Sequence, residues 1–273
     1  MRTRTTRIAA LAATSLLALT ACGGGGGDGS DTIKIGTKYD QPGLGLRAEG
    51  EMSGFDVDVA KALAKKLGYE EDKIEWVETP SPQRETMLES GHVDLIVATY
   101  SITDARKERV SFAGPYLVAG QDLLVRADDS AITGPDSLDG KVLCSVSGST
   151  PAEKIAKEYP GVQLQEYDTY SLCVEALAQG SVDALTTDDA ILAGYAAQEQ
   201  WKGKFKLVGK PFSEERYGVG VKQGSELCEK ANTALEELFD DGTIDELVAD
   251  NLGPAKYTPS PKTNPAKPGG HCG

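Results

Sequence analysis

The stretch Val93-Asp94-Leu95-Ile96-Val97-Ala98-Thr99-Tyr100-Ser101-Ile102-Thr103-Asp104-Ala105-Arg106 decides how this chain is read. Its first half is an apolar run rich in β-branched residues, the pattern of a strand buried in a parallel sheet. Its second half carries hydroxyls, Thr103-Asp104 reads as a helix start, and Arg106 falls in the first turn. A strand end that offers hydroxyls, free backbone N–H groups and a guanidinium suits a carboxylate. A weaker copy follows. Leu88-x-x-Gly91-x-Val93-Asp94 recurs as Leu177-x-x-Gly180-x-Val182-Asp183, which aligns Thr99 with Asp188. One copy offers groups for an anion, the other a carboxylate for a cation. Together they point to a zwitterion held between two similar lobes.

Strands and helices alternate on both sides of this stretch. Upstream, residues 32–37 read as a strand, 54–68 as an amphipathic helix stopped by Gly68, 73–78 as a strand and 82–90 as a helix stopped by Gly91. Downstream, the helix carrying Arg106 is expected to reach Val110, with a turn over 111–116. Residues 121–126 are then extended and read as a first crossing between lobes. The second lobe shows strands at 141–146, 161–166, 184–187 and 205–208, with helices from Pro151 to Glu158, over 170–179 and from Asp188 to Gln200. Gly148-Ser149-Thr150 can aim backbone N–H groups at an anion, without the Walker spacing or its lysine. Residues 215–221 read as the return crossing, followed by helices at 225–240 and 243–251 and an irregular tail rich in proline and lysine. The alternation gives two α/β lobes, the first discontinuous in sequence.

Composition narrows the function. The chain has 273 residues, enough for one large or two modest cores. Residues 1–21 read as a secretory signal: Arg2, Arg4 and Arg7, an apolar run from Ile8 to Ala18, then Leu19-Thr20-Ala21-Cys22, which resembles a bacterial lipobox with Cys22 as the lipidated N-terminus. The apolar run is short for a membrane span. Residues 23–30 form a glycine-rich tether, which a flexible chain would extend to on the order of 16 Å. Removing three arginines leaves 25 cations against 42 acids, a net charge of 25 − 42 = −17. That balance argues against nucleic acid and against a polybasic membrane patch.

Of five cysteines, Cys144, Cys173, Cys228 and Cys272 remain after Cys22. Export makes disulfides plausible, and four cysteines allow three pairings. Cys144–Cys173 within one lobe and Cys228–Cys272 tying down the tail are favoured over buried free thiols. With no Cys-x-x-Cys and only His92 and His271, neither a zinc site nor another metal or cofactor is expected.

Several motifs in order now carry a resemblance: Gly54-Phe55-Asp56-Val57-Asp58-Val59, Ala98-Thr99-Tyr100-Ser101-Ile102-Thr103-x-x-Arg106, Phe112-Ala113-Gly114-Pro115-Tyr116 and Val182-Asp183-Ala184-x-x-x-Asp188. From about Thr32 to Gly253 the chain resembles the polar amino acid family of ABC-importer solute-binding proteins (solute-binding protein family 3). The loop from Gly36 to Gly45 resembles its glutamate-binding branch in Gram-positive bacteria.

The resemblance implies a two-lobed periplasmic-binding-protein-like fold of type II, with two crossing strands forming the hinge. Lobe 1 would take 32–122 and 219–253, lobe 2 123–218, with residues 22–31 as lipidated cysteine and tether and 254–273 as the tail. It implies that Arg106, helped by Thr99 and Ser101, holds the α-carboxylate, that Asp188 takes the α-ammonium, and that Thr150 adds a donor from the opposite lobe. Asp188 also reads as a plain helix cap. For a glutamate γ-carboxylate, Lys38 and Arg47 are the candidate cations, with Gln41 and Tyr39 as neutral helpers. Either cation alone reads equally well as a solvated charge.

The expected protein is a monomeric, lipid-anchored receptor on the extracytoplasmic face of a bacterial membrane. It would pass L-glutamate to the permease of an ABC importer. Glutamine, asparagine and aspartate are alternative ligands. A dehydratase-like enzyme on the same fold and an amino-acid sensor are the alternatives from other classes. Scarce histidines weigh against the enzyme, and the sensor would have to signal through a separate membrane protein.

Overall fold

The computed structural model describes residues 31–273. The signal segment, Cys22 and the tether to Ser30 lie outside the described residues. Two five-stranded sheets organise the chain. The first runs Ile74–Glu78, Ile33–Thr37, Leu95–Ile96, Glu215–Lys222, Val110–Ala119. The second runs Gln163–Tyr167, Val142–Val146, Ala184–Asp188, Gln121–Arg126, Phe205–Leu207. In each, the first three strands are parallel and the last two antiparallel to their neighbours. Helices flank both, so the protein has two α/β lobes of matching topology, the fold class that the alternation implied.

The repeated motif proves to be a building device. In each copy a glycine at positive φ ends a helix, Gly91 at 70° and Gly180 at 75°. The aspartate three residues on then ties two parallel strands together at their start. Asp94 Oδ2 accepts the Lys34 N–H at 2.8 Å, and Asp183 Oδ2 accepts the Val142 N–H at 2.9 Å. Both aspartates are thereby occupied far from the strand ends where a ligand would sit. The strand of the key stretch is only Leu95–Ile96, paired with Ile35 and Gly36. Beyond it Thr99 takes a left-handed backbone, φ 46°, and turns the chain out of the sheet. Thr103 caps the next helix by accepting the Arg106 N–H at 3.2 Å, but that helix, Asp104–Lys107, is a single turn.

Two further expectations change. Residues 111–116 form no turn: they belong to the long strand Val110–Ala119. Gly114-Pro115 is tolerated because this is an edge strand and is bulged there, the pairing slipping between Tyr217 and Val219 on its neighbour. Nor are 121–126 and 215–221 the crossings. Gln121–Arg126 pairs wholly within the second sheet and Glu215–Lys222 within the first. The chain passes between sheets at Gly120 and again through 208–214. A Cβ on Gly120 would lie 2.7 Å from Pro211 and 3.0 Å from the Ser213 carbonyl, so the two passages touch where only glycine fits.

The loop after the first strand is a small antiparallel ribbon, Asp40–Gln41, Gly45–Ala48 and Glu51–Ser53. Its second turn places Glu49 and Gly50 at φ 53° and 92°, the left-handed pair of a tight hairpin. Disulfides join Cys144 to Cys173 and Cys228 to Cys272, the two favoured pairs. The tail is irregular but anchored. Gly269 and His271 exchange backbone hydrogen bonds with Gly114 and Phe112, and Asn264 brackets Val118 with bonds of 3.0 and 2.9 Å.

Candidate functional site

The carboxyl ends of both sheets meet across a small enclosed cavity. Gln41, Ser81, Arg84, Thr99 and Arg106 line it from the first lobe, and Ser149, Thr150, Tyr170, Asp188 and Ile191 from the second. Arg106 is 8% exposed. Its Nε lies 3.3 Å from Glu85, Nη1 donates to the Ser101 carbonyl at 2.8 Å, and Nη2 donates to the Gly148 carbonyl across the cleft at 3.3 Å. Its guanidinium also stands over the Tyr100 ring at 4.9 Å. One Nη1 and one Nη2 proton stay unassigned by these contacts, a fork that matches a carboxylate.

Ser101 opposes Tyr217 through flanking bonds from Ile102 N and Gly218 N, so its own N–H points away from that strand. On the facing lobe, Thr150–Glu158 begins beside Ser149, whose hydroxyl caps Ala152 N–H at 3.2 Å. That leaves the Thr150 N–H at the positive end of a nine-residue helix.

Asp188 is 3% exposed and closes the other end. Its Oδ2 accepts the Tyr217 hydroxyl at 2.6 Å, while Oδ1 is buried with no hydrogen-bond partner among the described residues. Burial, then the nearby Glu215 carboxylate, push its pKa well above the ordinary carboxylate range. An ammonium against Oδ1 would satisfy the orphan oxygen and restore the charged form.

The other expected residues divide. Gln41 lines the cavity and accepts the Thr99 hydroxyl at 3.3 Å. Thr99 lines it too, but its N–H goes to Asp56 at 2.8 Å and its hydroxyl also reaches the Ala98 carbonyl at 2.7 Å, so neither is aimed at a ligand beside Arg106. Ser101 is buried 3.3 Å from the Thr150 hydroxyl. The structure does not bring Lys38 and Arg47 to the cavity. Lys38 is buried but paired with Asp40 at 3.2 Å, and burial lowers its pKa. Asp40 in turn accepts the Tyr170 N–H at 3.0 Å and bonds from Tyr195, so this ion pair clasps the lobes together. Arg47 is exposed and lies over the Tyr39 ring at 5.2 Å.

The second cation of the cleft is Arg84, which sequence reasoning missed. It is 3% exposed, its Nε donates to the Thr79 carbonyl at 3.2 Å, and like Arg106 it stands over the Tyr100 ring, at 5.1 Å. No carboxylate among the described residues pairs with it. Burial, then repulsion from Arg106, lower its pKa. A buried guanidinium without a counter-ion is costly, and here it faces a cavity. A signal existed. Arg84 opens the helix Arg84–Glu89, where the dipole disfavours a cation, just after the carboxyl end of the strand Ile74–Glu78.

Residues 33–254 match the bacterial extracellular solute-binding proteins, family 3. The chain belongs to this family. Glutamate-binding protein GluB of Corynebacterium glutamicum is 53% identical over 234 residues, covering 81% of this chain and 79% of the relative. The glutamine-binding protein GlnH of Bacillus subtilis is 38% identical, with 80% of each chain covered. Among solved structures, an ancestral arginine-binding protein bound to glutamine superposes with a TM-score of 0.76 at 37% identity, covering 82% of this chain and 99% of its own. The two-lobed, extracellular architecture of family 3 is therefore that of this protein, with the cavity at the junction of its lobes.

Proposed function

We propose that this family 3 protein is a receptor that captures L-glutamate between its lobes and hands it to the permease of an ABC importer. The observation that carries the reading is the convergence of two buried arginines on one small cavity. Arg106, the Ser101 N–H and the helix start at Thr150 suit the α-carboxylate. Asp188 suits the α-ammonium. Arg84, with Ser81 beside it, suits a second carboxylate in the ligand's side chain. The 53% identity to GluB supports the same ligand. A receptor rather than a catalyst fits the histidines, since His92 is exposed and His271 lies in the tail, both away from the cavity lining.

The Cys22 lipid and the glycine tether would hold a monomer at the outer membrane surface, and lobe closure on the ligand would present one shape to the permease. Calorimetric titration of the processed protein with the twenty amino acids tests the reading. Glutamate should bind at least tenfold tighter than glutamine, asparagine or aspartate. A preference for arginine or another cation would overturn it.

A further inference from the structure

Glu215 has no part in that account, yet it sits at the centre of the cleft. It opens the strand Glu215–Lys222 and is 5% exposed. Its Oε2 accepts the hydroxyl of Ser101 from the first lobe at 2.6 Å and the hydroxyl of Thr150 from the second at 2.8 Å. Its Oε1 accepts the Ser213 hydroxyl at 2.8 Å. A hydroxyl carries one proton and two lone pairs. Thr150 has a second acceptor in Ser101, but at 3.3 Å it is the longer bond. Both cleft hydroxyls therefore direct their protons at Glu215, and toward a ligand they can only accept. The same holds for Asp188, whose free Oδ1 is an acceptor.

We propose that Glu215 is a positioning residue that sets the hydrogen-bond polarity of the amino end of the site. By drawing the Ser101 and Thr150 protons away from the cleft, it leaves there a cluster of acceptors that an ammonium satisfies and a carbonyl oxygen does not. The chemical class so selected is the α-amino acid over the α-keto acid of the same skeleton. The inference rests on the α-amino acid reading above and deepens it. Glutamine at this position would keep the shape but not the polarity. A carboxamide is uncharged, and its NH2 takes the place of one acceptor oxygen. Even with its oxygen at the Oε2 position it holds the two hydroxyl protons only by neutral bonds, about half as strong as charge-assisted ones, so these protons are released to turn toward a ligand oxygen in the cleft. Selection by unpaired buried polar groups is steep, because a mismatched ligand strands them.

The test compares L-glutamate with 2-oxoglutarate, which has the same two carboxylates and a keto oxygen in place of the ammonium. Titration calorimetry on the wild type, Glu215→Gln, Thr150→Val and Thr150→Ser gives the preference ratio for each. Glu215→Gln is expected to weaken glutamate by about tenfold or more while 2-oxoglutarate is unchanged or improved, so that the ratio contracts. Thr150→Val should contract it as well, and Thr150→Ser should restore it. If Glu215→Gln weakens both ligands by the same factor, Glu215 is merely structural and the proposal falls. Should that variant not fold, the Thr150 pair decides: a ratio unchanged in Thr150→Val overturns the proposal. A wild type that binds no α-amino acid overturns the receptor reading itself, which is a different result.

Discussion

Replacing Arg84 by methionine isolates the side-chain subsite. The guanidinium is 3% exposed and uses only Nε within the described structure, on the Thr79 carbonyl. Its two Nη groups are available to a carboxylate. Two charge-assisted hydrogen bonds at about 1.5–3 kcal/mol each amount to about 3–6 kcal/mol, or a loss of roughly 150-fold or more in glutamate affinity. A glutamine side chain meets Arg84 through one neutral oxygen and strands no charge when the arginine is gone, so its loss should be about tenfold. Free Arg84→Met protein should be as stable as the wild type or more so, because a buried cation without a carboxylate partner among the described residues has been replaced by an apolar chain of similar length. Titration calorimetry with both amino acids, together with urea unfolding of the free protein, measures all three quantities. Glutamate affinity within about threefold of the wild type, or an equal loss for glutamate and glutamine, refutes the assignment of Arg84 to the γ-carboxylate.

Two other outcomes follow from the structure. Burial lifts Asp56 from 3.8 to about 6, against the opposing hydrogen bonds from Tyr116 and the Thr99 N–H. The folded state thus holds the extra proton between those values, and stability falls as pH rises through that window, by about 3 kcal/mol in all. In urea unfolding, Asp56→Asn should therefore gain on the wild type by about 2 kcal/mol between pH 4 and pH 7; parallel stability curves would remove the argument. Replacing both Cys228 and Cys272 by serine opens a bridge with a sequence separation of 44, which chain entropy values at about 4 kcal/mol. The thermal midpoint should drop by about 10 °C, and an unchanged midpoint would mean that the bridge only decorates the tail.

The sequence made the two-lobed plan legible because each lobe repeats one device, a glycine-stopped helix followed by an aspartate and a strand, and because its helices carry clear apolar spacing. Phe55, Val59, Leu63 and their neighbours are buried as that spacing demands. Two cavity-lining residues were legible as well, Arg106 just beyond the first-lobe strand and Asp188 at the end of the second-lobe strand. What failed was chain order used as a guide to space. Lys38 and Arg47 follow the first strand, yet a local partner takes one and solvent the other. Arg84 was masked by its setting in a short helix of ordinary polar residues. The hydrogen-bonding roles of Thr99 and Ser101 were not legible: residue type reveals that a hydroxyl is present, while only neighbours such as Gln41 and Glu215 fix which way its proton points. The crossings were displaced because an edge strand with a Gly-Pro bulge looks locally like a turn.

The anchoring of the tail bears on how the protein stays separate from other copies of itself. Val110–Ala119 is the outermost strand of its sheet, ten residues long and buried throughout. Left bare, its outward N–H and C=O groups would be a template on which a neighbouring chain could add a strand. The tail occupies that template. Gly269, His271 and Asn264 take the groups of Gly114, Phe112 and Val118, and Cys272 fixes the cover covalently to the helix Leu227–Asp240. The last twenty residues thus act as a built-in guard against edge-to-edge association, and the Cys228–Cys272 bridge is what keeps the guard from peeling away.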